Sequence, residues 1–187
     1  MGMPNTARRY TVDEVLAFPN DGNRYELVDG DLLVTPAPSF VHQQVVTRLC
    51  ARIEPYLERH PGIAVLNISP ADITWDREKL VQPDVFVVPA GEVTRSWTSI
   101  RTLLLAVEVV SPSSARGDRL TKRMLYQRQG VATYWVVDPD ARLVDVWHPE
   151  DHRPEIVTDV LTWLVTPDAK ELVIDLDDLF QDLPTAT

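Results

Sequence analysis

Two carboxylates lie within strongly apolar segments, where an acid is costly to bury. Asp84 precedes the run 85–88, and Glu108 lies inside the run 103–110. A charged side chain in such a strand requires a cationic partner or a metal ion. If the two strands are neighbours, both acids meet at one end of a sheet, and their hard oxygen atoms suit Mg²⁺ or Mn²⁺. We therefore expect Asp84 and Glu108 to be metal ligands and catalytic residues.

A basic segment follows the second apolar run and could serve the same site. Its lysine, Lys122, could orient a water molecule or stabilise developing charge. Its arginines could grip phosphate groups, and the candidates are Arg116, Arg119 and Arg123. Asp118 lies one helical turn before Lys122, so these two could also form a plain surface ion pair of little energetic value.

The other candidate residues also have structural interpretations. Asp84 could be a strand-start carboxylate after a turn proline, and Glu108 could form a buried ion pair with an arginine. His42 lies on the core-facing stripe of a predicted helix, where a lone histidine is often only packed. Tyr126 is expected to be a core aromatic residue with a bonded hydroxyl.

The amino-acid composition and net charge limit the classes of protein to which this chain could belong. With 187 residues, 44% of them hydrophobic and 25% charged, the chain is ordinary for a soluble globular protein, and we expect one domain over residues 1–187. Cys50 is the single cysteine, which excludes an internal disulfide framework and fits the cytoplasm. No run approaches the roughly 20 apolar residues of a membrane span. The net charge of −10 argues against non-specific coating of nucleic acid but allows a local basic groove.

Local sequence motifs predict the first secondary-structure elements that position these side chains. The segment from Thr11 to Glu14 predicts a capping box at the N-terminus of a helix. Two β-prone runs around Asp29-Gly30 predict a hairpin. Helical spacing of apolar residues follows from Val41 to Leu57, with a kink or a restart expected at Pro55.

Strands and one further helix make up the rest of the chain. Apolar patterning predicts strands at 63–68, 72–75, 81–88, 103–110, 133–138, 142–148, 155–158 and 160–165. A helix over 118–129 is expected to bury Leu120, Met124 and Leu125, and a short helix is expected near 176–180. The run 103–110 lacks polar alternation and predicts a strand buried on both faces. The economical arrangement is an α/β domain in which a mixed sheet carries a helix on each face, with a core over about 39–138.

The order and spacing of these residues resemble a known nuclease family. Pro83-Asp84 followed by Glu108 is similar to the PD-(D/E)xK nuclease signature. A wider set resembles the Uma-type restriction endonuclease family from about residue 10 to the C-terminal tail. This set comprises Tyr25-Glu26-Leu27-Val28-Asp29-Gly30, His42, Pro83-Asp84, Glu108-Val109-Val110-Ser111-Pro112-Ser113, Asp118, Lys122, Tyr126, Gly130-Val131 and Tyr134-Trp135-Val136-Val137-Asp138.

This resemblance implies a restriction-endonuclease-like core with an N-terminal hairpin and C-terminal strands. It implies a Mg²⁺-dependent endonuclease, with Mn²⁺ as a substitute, that acts on nucleic acid, most simply DNA. Since small nucleases that cut both strands often pair, the outer hairpins could form a homodimer interface. The general motif expects lysine two residues after Glu108, where this chain has Val110, and the resemblance implies that Lys122 replaces it. It also places Glu26 at the site as a third acid, with His42 and Asp118 at the site edge.

Two other functions fit the same residues. The missing lysine at Val110 and the acidic composition would suit a non-catalytic binding module on a nuclease fold. A metal phosphoesterase acting on a small nucleotide would explain the acidic surface without a long nucleic acid. Metal binding would distinguish either enzyme from the non-catalytic binding module. A steep salt dependence of substrate binding would distinguish an enzyme that acts on long nucleic acid from the small-nucleotide phosphoesterase.

Overall fold

The computed structural model describes residues 8–111 and 117–184. These residues form short and long helices around three β-sheets. In chain order the elements are α1 Val12–Leu16, β1 Arg24–Val28, β2 Asp31–Thr35, α2 Phe40–Glu58, β3 Ala64–Ile68, β4 Ile73–Asp76, β5 Lys79–Val81, β6 Val85–Pro89, β7 Leu105–Val109, a π-helical turn Gly117–Lys122, α3 Arg123–Arg128, β8 Tyr134–Asp138, β9 Leu143–Trp147, β10 Glu155–Val157, β11 Val160–Trp163, β12 Leu172–Asp175 and α4 Leu176–Leu179. None of the helices in the described ranges is long and apolar enough to cross a membrane.

The largest sheet has six strands in the order β10-β9-β8-β7-β6-β3. Its strands pair antiparallel except β7 and β8, which are parallel because the helical segment 117–128 crosses between them. A four-stranded sheet in the order β2-β1-β5-β4 lies beside it, and β11 and β12 form a two-stranded ribbon. The predicted mixed α/β fold is therefore confirmed, whereas β12 was missed by the sequence analysis.

Local sequence signals explain the N-terminal elements. The Thr11 hydroxyl accepts a hydrogen bond from the Glu14 amide, and the Glu14 carboxylate accepts one from the Thr11 amide, which completes the predicted capping box. In the hairpin between β1 and β2, Asp29 and Gly30 have φ angles of 50° and 80°. Two positive φ angles at the centre of a two-residue turn are what the Asp-Gly pair favours, so the predicted hairpin is confirmed.

Strand β7 is buried on both faces, as predicted. Its alternate residues point to opposite sides of the sheet. Val107 and its neighbours on one face pack in the core cluster that contains residues of α2. Ala106 and Val110 on the other face pack with Leu125 and Tyr126 of α3. The two helices therefore cover opposite faces of the six-stranded sheet, and Glu108 lies on the face covered by α3.

The predicted strand 81–88 is two strands in different sheets. Strand β5 ends at Val81 in the four-stranded sheet, and β6 begins at Val85 in the six-stranded sheet. Pro83 between them has no amide hydrogen and cannot donate to a ladder, so it favours a break at this point. The break places Asp84 at the junction of the two sheets.

Two helix predictions are wrong in detail. Of the kink or restart expected at Pro55, the restart is wrong, because α2 continues to Glu58. The predicted helix 118–129 is a π-helical turn followed by α3, and Leu120 and Met124 are 50% and 44% exposed rather than buried. Lys122 takes the inner position that the apolar pattern had assigned to these residues. The reason is electrostatic, because the buried carboxylates of Glu26 and Glu108, which belong to strands of different sheets, require a cation at that position.

Candidate active site

A cavity of about 150 Å³ opens where the two larger sheets meet the start of α2. The side chains of Asp84, Glu108, Lys122 and His42 reach it from four different elements or their ends. Its remaining walls come from Arg24, from the segment 35–39, and from Val109 and Ser111. The structure thus brings together the residues that the sequence analysis had selected from distant parts of the chain.

Asp84 is almost fully buried and both of its oxygen atoms are occupied. Arg24 donates to Oδ1 at 2.7 Å. His42 Nε2 lies 2.9 Å from Oδ2, and the Val109 amide donates to the same oxygen at 2.9 Å. The contact with the Val109 amide ties Asp84 to β7 and so fixes the carboxylate beside the strand that carries Glu108.

These partners keep Asp84 ionised. Burial raises the pKa of the Asp84 carboxyl, but the hydrogen bond and charge of His42, with the charges of Arg24 and Lys122, outweigh burial. The pKa therefore falls from 3.8 to about 2. A carboxylate that stays charged at neutral pH in a buried cavity is suited to binding a cation.

Glu108 and Glu26 share the ammonium group of Lys122. Lys122 Nζ lies 2.7 Å from Glu26 Oε2 and 3.1 Å from Glu108 Oε1. All three side chains are at least 96% buried. Glu26 Oε1 accepts a hydrogen bond from the Gln82 amide at 2.7 Å, and this acid lies behind Lys122 rather than in the cavity wall. The arrangement directs the ammonium group between the two acids.

Tyr126 completes the surroundings of Glu108. Its hydroxyl donates to Glu108 Oε1 at 2.9 Å, from one helical turn beyond Lys122 on α3. Burial, followed by the negative charge of Glu108, raises the pKa of Tyr126 well above 10.0. The hydroxyl therefore stays protonated at neutral pH, and the prediction of a core tyrosine with a bonded hydroxyl is confirmed.

Two of the arginines predicted to contact phosphates, Arg119 and Arg123, make contacts within the protein. Arg119 donates to Asp138 at 2.8 Å and to Asp145 at 3.0 Å. Arg123 lies 4.7 Å above the ring of Trp147. The phosphate contacts of Arg119 and Arg123 stay predictions. Arg116 and the side chain of Asp118 lie outside the described part of the chain, so their predicted roles stay predictions as well.

Arg24 is the main site residue that the sequence analysis missed. A signal for it was present, because residues two apart on a strand point to the same face and Arg24 is two residues before Glu26 on β1. Its pairing with Asp84 could not be inferred, since Asp84 is 60 residues further along the chain and lies at the junction of the two sheets. Ser39 and Ser111 in the cavity wall carried no such signal.

Two carboxylates of the cavity are candidate ligands for a hard divalent cation. Mg²⁺ in proteins is commonly held by one or two carboxylates, with water and substrate phosphate at its other positions. Asp84 and Glu108 supply two carboxylates on one cavity wall. Among the described residues no group of three or more His, Cys, Asp or Glu side chains forms a metal cluster. Substrate oxygens or water would therefore have to supply the remaining ligands.

Comparison with solved structures supports the same fold. The chain is similar to the structure of a putative nuclease belonging to DUF820 from Anabaena variabilis, with a TM-score of 0.76 and 21% sequence identity. The match covers 91% of this chain and 97% of the other. At this identity the likeness shows a shared fold. No curated protein matches the chain.

The family comparison covers most of the sequence. The family model Uma2, described as "Putative restriction endonuclease", matches residues 12–177. This range contains every candidate residue of the cavity together with the strands and helices that position them. It also agrees with the resemblance seen in the sequence. The chain belongs to the Uma2 family of putative restriction endonucleases.

Proposed function

We propose that the protein is a metal-dependent endonuclease that hydrolyses phosphodiester bonds in nucleic acid. The observation that carries this proposal is the meeting of two buried carboxylates, Asp84 and Glu108, with the buried ammonium group of Lys122 on one cavity. Phosphoryl transfer needs little covalent chemistry from the protein, and positioning with electrostatic stabilisation supplies most of the catalysis. The family description supports a nuclease and favours DNA as its substrate.

In this proposal Asp84 and Glu108 would hold the cation, either Mg²⁺ or Mn²⁺. When bound, the ion would polarise the phosphate and lower the pKa of a bound water. Asp84 suits this role because its pKa of about 2 leaves it charged at neutral pH. The Val109 amide and His42 hold its Oδ2 atom in a fixed position, so the cation would meet a preorganised ligand.

Lys122 would act on the substrate. Its ammonium group lines the cavity and can donate a hydrogen bond to a phosphate oxygen or to the attacking water. Glu26 would be a positioning residue, because it pairs with Lys122 from behind and is itself held by the Gln82 amide. In this proposal Lys122, from the following helical segment, would take the role of the lysine that the general motif expects two residues after Glu108.

Metal binding is the first test. Calorimetric titration of Mg²⁺ and Mn²⁺ should show binding to the wild-type protein that Asp84→Asn and Glu108→Gln both abolish. Asp177→Asn is the matched control, because the side chain of Asp177 is 91% exposed and does not line the cavity. Since some Mg²⁺ sites form only with phosphate present, the titration is repeated with a non-cleavable phosphorothioate oligonucleotide. Absence of metal binding in both titrations would exclude a metal-dependent nuclease.

Cleavage is the second test. End-labelled single- and double-stranded DNA and RNA should be cut with Mg²⁺ present and left intact with a chelator, and Lys122→Met should lose the activity. Binding should weaken steeply with salt if several phosphates are contacted, whereas a small-nucleotide phosphoesterase would show a shallow dependence. Metal binding without cleavage of any of these substrates would contradict the endonuclease and favour the small-nucleotide phosphoesterase.

The same proposal extends to the cellular location and the oligomeric state of the enzyme. We infer a cytoplasmic enzyme, in agreement with the single free cysteine Cys50. Two-strand cleavage would be served by a homodimer, and the outer hairpins are the proposed contact. Sedimentation with and without DNA tests this arrangement, and a monomer under both conditions would contradict it.

A further inference from the structure

We propose that Arg119 is a positioning residue that sets the place of Lys122 in the cavity. The inference rests on the proposed function for its catalytic meaning, but its structural content can be tested without any activity. It assigns to Arg119 a role within the protein in place of direct contact with a phosphate. Its basis is a set of contacts that anchor one side of the helical segment 117–128.

The first contact is a two-pronged clamp at the π-helical turn. Arg119 Nε donates to Asp145 Oδ2 at 3.0 Å, and a terminal nitrogen donates to Asp138 Oδ2 at 2.8 Å. Asp138 ends β8 and Asp145 lies within β9, so both acids belong to paired strands of the six-stranded sheet. Asp138 is itself held, because its Oδ1 accepts a hydrogen bond from the Ala141 amide. A guanidinium group is suited to this clamp because its donors have a fixed planar geometry.

Two further contacts follow the clamp at intervals of four residues. Arg123 stacks on Trp147 at the end of β9. Gln127 donates from Nε2 to the carbonyls of His148 and Asp151, both at 2.9 Å. Residues four apart lie on one side of a helix, so the three contacts form a stripe that faces β9 and the turn after it.

This stripe controls the rotation of the segment about its axis. Helix α3 has only six residues, and helices of this length depend on tertiary contacts for their stability. Lys122 is three residues after Arg119, at the last position of the π-helical turn. A small rotation or unwinding of that turn would carry Nζ away from Glu26 and Glu108, because neighbouring helical positions are separated by roughly 80 to 100°.

Among the described contacts of the stripe, the clamp is the one that lies within the π-helical turn. Arg123 and Gln127 lie in α3, beyond Lys122, whereas Arg119 precedes it. The stripe thus has an anchor on each side of Lys122 along the chain. Loss of Arg119 would remove the anchor that precedes the lysine.

Amine labelling measures this effect directly. The chain has three lysines, and Lys170 is exposed while Lys122 is buried between two acids. Acylation requires an accessible deprotonated amine, so with acetic anhydride at mildly alkaline pH Lys122 should react more slowly than Lys170 in the wild-type protein. Arg119→Met should raise the labelling rate of Lys122 by about tenfold through local opening, with the rates of Lys79 and Lys170 unchanged. Peptide mass spectrometry gives the three rates in one experiment.

The controls separate positioning from general loss of structure. Arg48→Met removes an arginine that bonds the carbonyls of Leu179 and Gln181, away from the cavity, and should leave the Lys122 rate unchanged. Asp145→Asn should raise that rate. Combining it with Arg119→Met should raise the Lys122 labelling rate little further, because both changes break the same contact. Arg119→Lys should restore part of the protection. If Arg119→Met does not fold, Asp145→Asn and Arg119→Lys carry the test.

The outcomes are separate from those of the nuclease assay. A Lys122 labelling rate equal to that of the wild type in folded Arg119→Met and Asp145→Asn variants would overturn the positioning role. If the rate rises but no substrate is cleaved by the wild-type protein, the positioning role stands and the proposed function fails. If the wild type cleaves DNA, Arg119→Met should lower kcat with KM unchanged, because the interaction lost would be one that Lys122 makes in the transition state.

Discussion

Lys122 Nζ lies 2.7 Å from Glu26 Oε2, in a contact that joins two parts of the fold. Glu26 belongs to β1 in the four-stranded sheet, and Lys122 ends the π-helical turn that packs on the six-stranded sheet. Both side chains are at least 96% buried, so solvent offers little alternative pairing to either charge. The pair therefore couples the junction of the sheets to the geometry of the cavity.

Loss of Lys122 should destabilise the protein strongly. Lys122→Met leaves two buried carboxylates without their cation, and breaking a buried pair by removing one partner costs about 3–5 kcal/mol. Urea denaturation in metal-free buffer at neutral pH measures the free energy of unfolding. Adding Glu26→Gln to Lys122→Met should recover part of the loss, because one uncompensated charge disappears.

The matched control for this experiment is Lys170→Met. Lys170 is exposed and should be replaceable with little change in the free energy of unfolding. If Lys122→Met were as stable as Lys170→Met, the buried ion network would not be contributing to the fold.

Stability should also depend on pH through Asp84. The pKa of this carboxyl is about 2 in the folded protein, against an ordinary value of 3.8. A lowered pKa stabilises the folded state above the unfolded value, and the stabilisation, about 2 kcal/mol in total, is lost as the pH falls from about 4 towards 2. The difference in unfolding free energy between wild type and Asp84→Asn should therefore shrink by about 1 kcal/mol between about pH 6 and about pH 3.

Urea denaturation in chelator-containing buffer at a series of pH values checks this dependence. The Asn side chain cannot ionise in this range, so the other carboxyl groups cancel in the difference. A difference that stays constant, or grows, as the pH falls would show that the partners of Asp84 do not stabilise its charged form.

The hydroxyl of Tyr126 should matter more than that of an exposed tyrosine. Tyr126→Phe removes a buried hydrogen bond to Glu108, and hydrogen bonds to charged groups contribute about 1.5–3 kcal/mol. Thermal and urea denaturation measure the loss. Tyr25→Phe is the comparison, because its hydroxyl also donates to a carboxylate, that of Asp21, but at the protein surface. Equal losses in the two variants would show that burial does not strengthen the contact.

The long helix α2 should be held by its inner face. Leu49 is fully buried against the six-stranded sheet, and Leu49→Ala should cost about 2–5 kcal/mol through lost burial and a new cavity. Phe40 in the same helix is 68% exposed, and Phe40→Ala should change the free energy of unfolding by about 0.5 kcal/mol or less. A large loss for Phe40→Ala would mean that this exposed ring has a partner beyond the chain.

Much of the fold could be predicted because its signals are local. The Asp29-Gly30 turn, the capping box at Thr11 and the apolar stripe of α2 each depend on residues close in sequence. The burial of β7 on both faces followed from its lack of polar alternation. The ribbon strand β12 was missed because four residues carry too little periodicity to distinguish a strand from the helix that follows.

The sequence by itself determined which residues are chemically unusual. Asp84 and Glu108 stand out because a carboxylate in an apolar strand is costly unless a cation meets it. That argument requires a partner but cannot name it. Only the tertiary structure decided that Arg24 and His42 meet Asp84, and that Lys122 meets Glu108 and Glu26.

The physical reason is that these pairings depend on the packing of distant segments. The break at Pro83 sends the chain from one sheet to the other, and the clamp of Arg119 on β8 and β9 sets the rotation of the helical segment. With local spacing alone, Leu120 and Met124 were the expected inner residues. Burial of the two acids made Lys122 the inner residue instead, since an uncompensated buried charge costs more than an exposed apolar side chain.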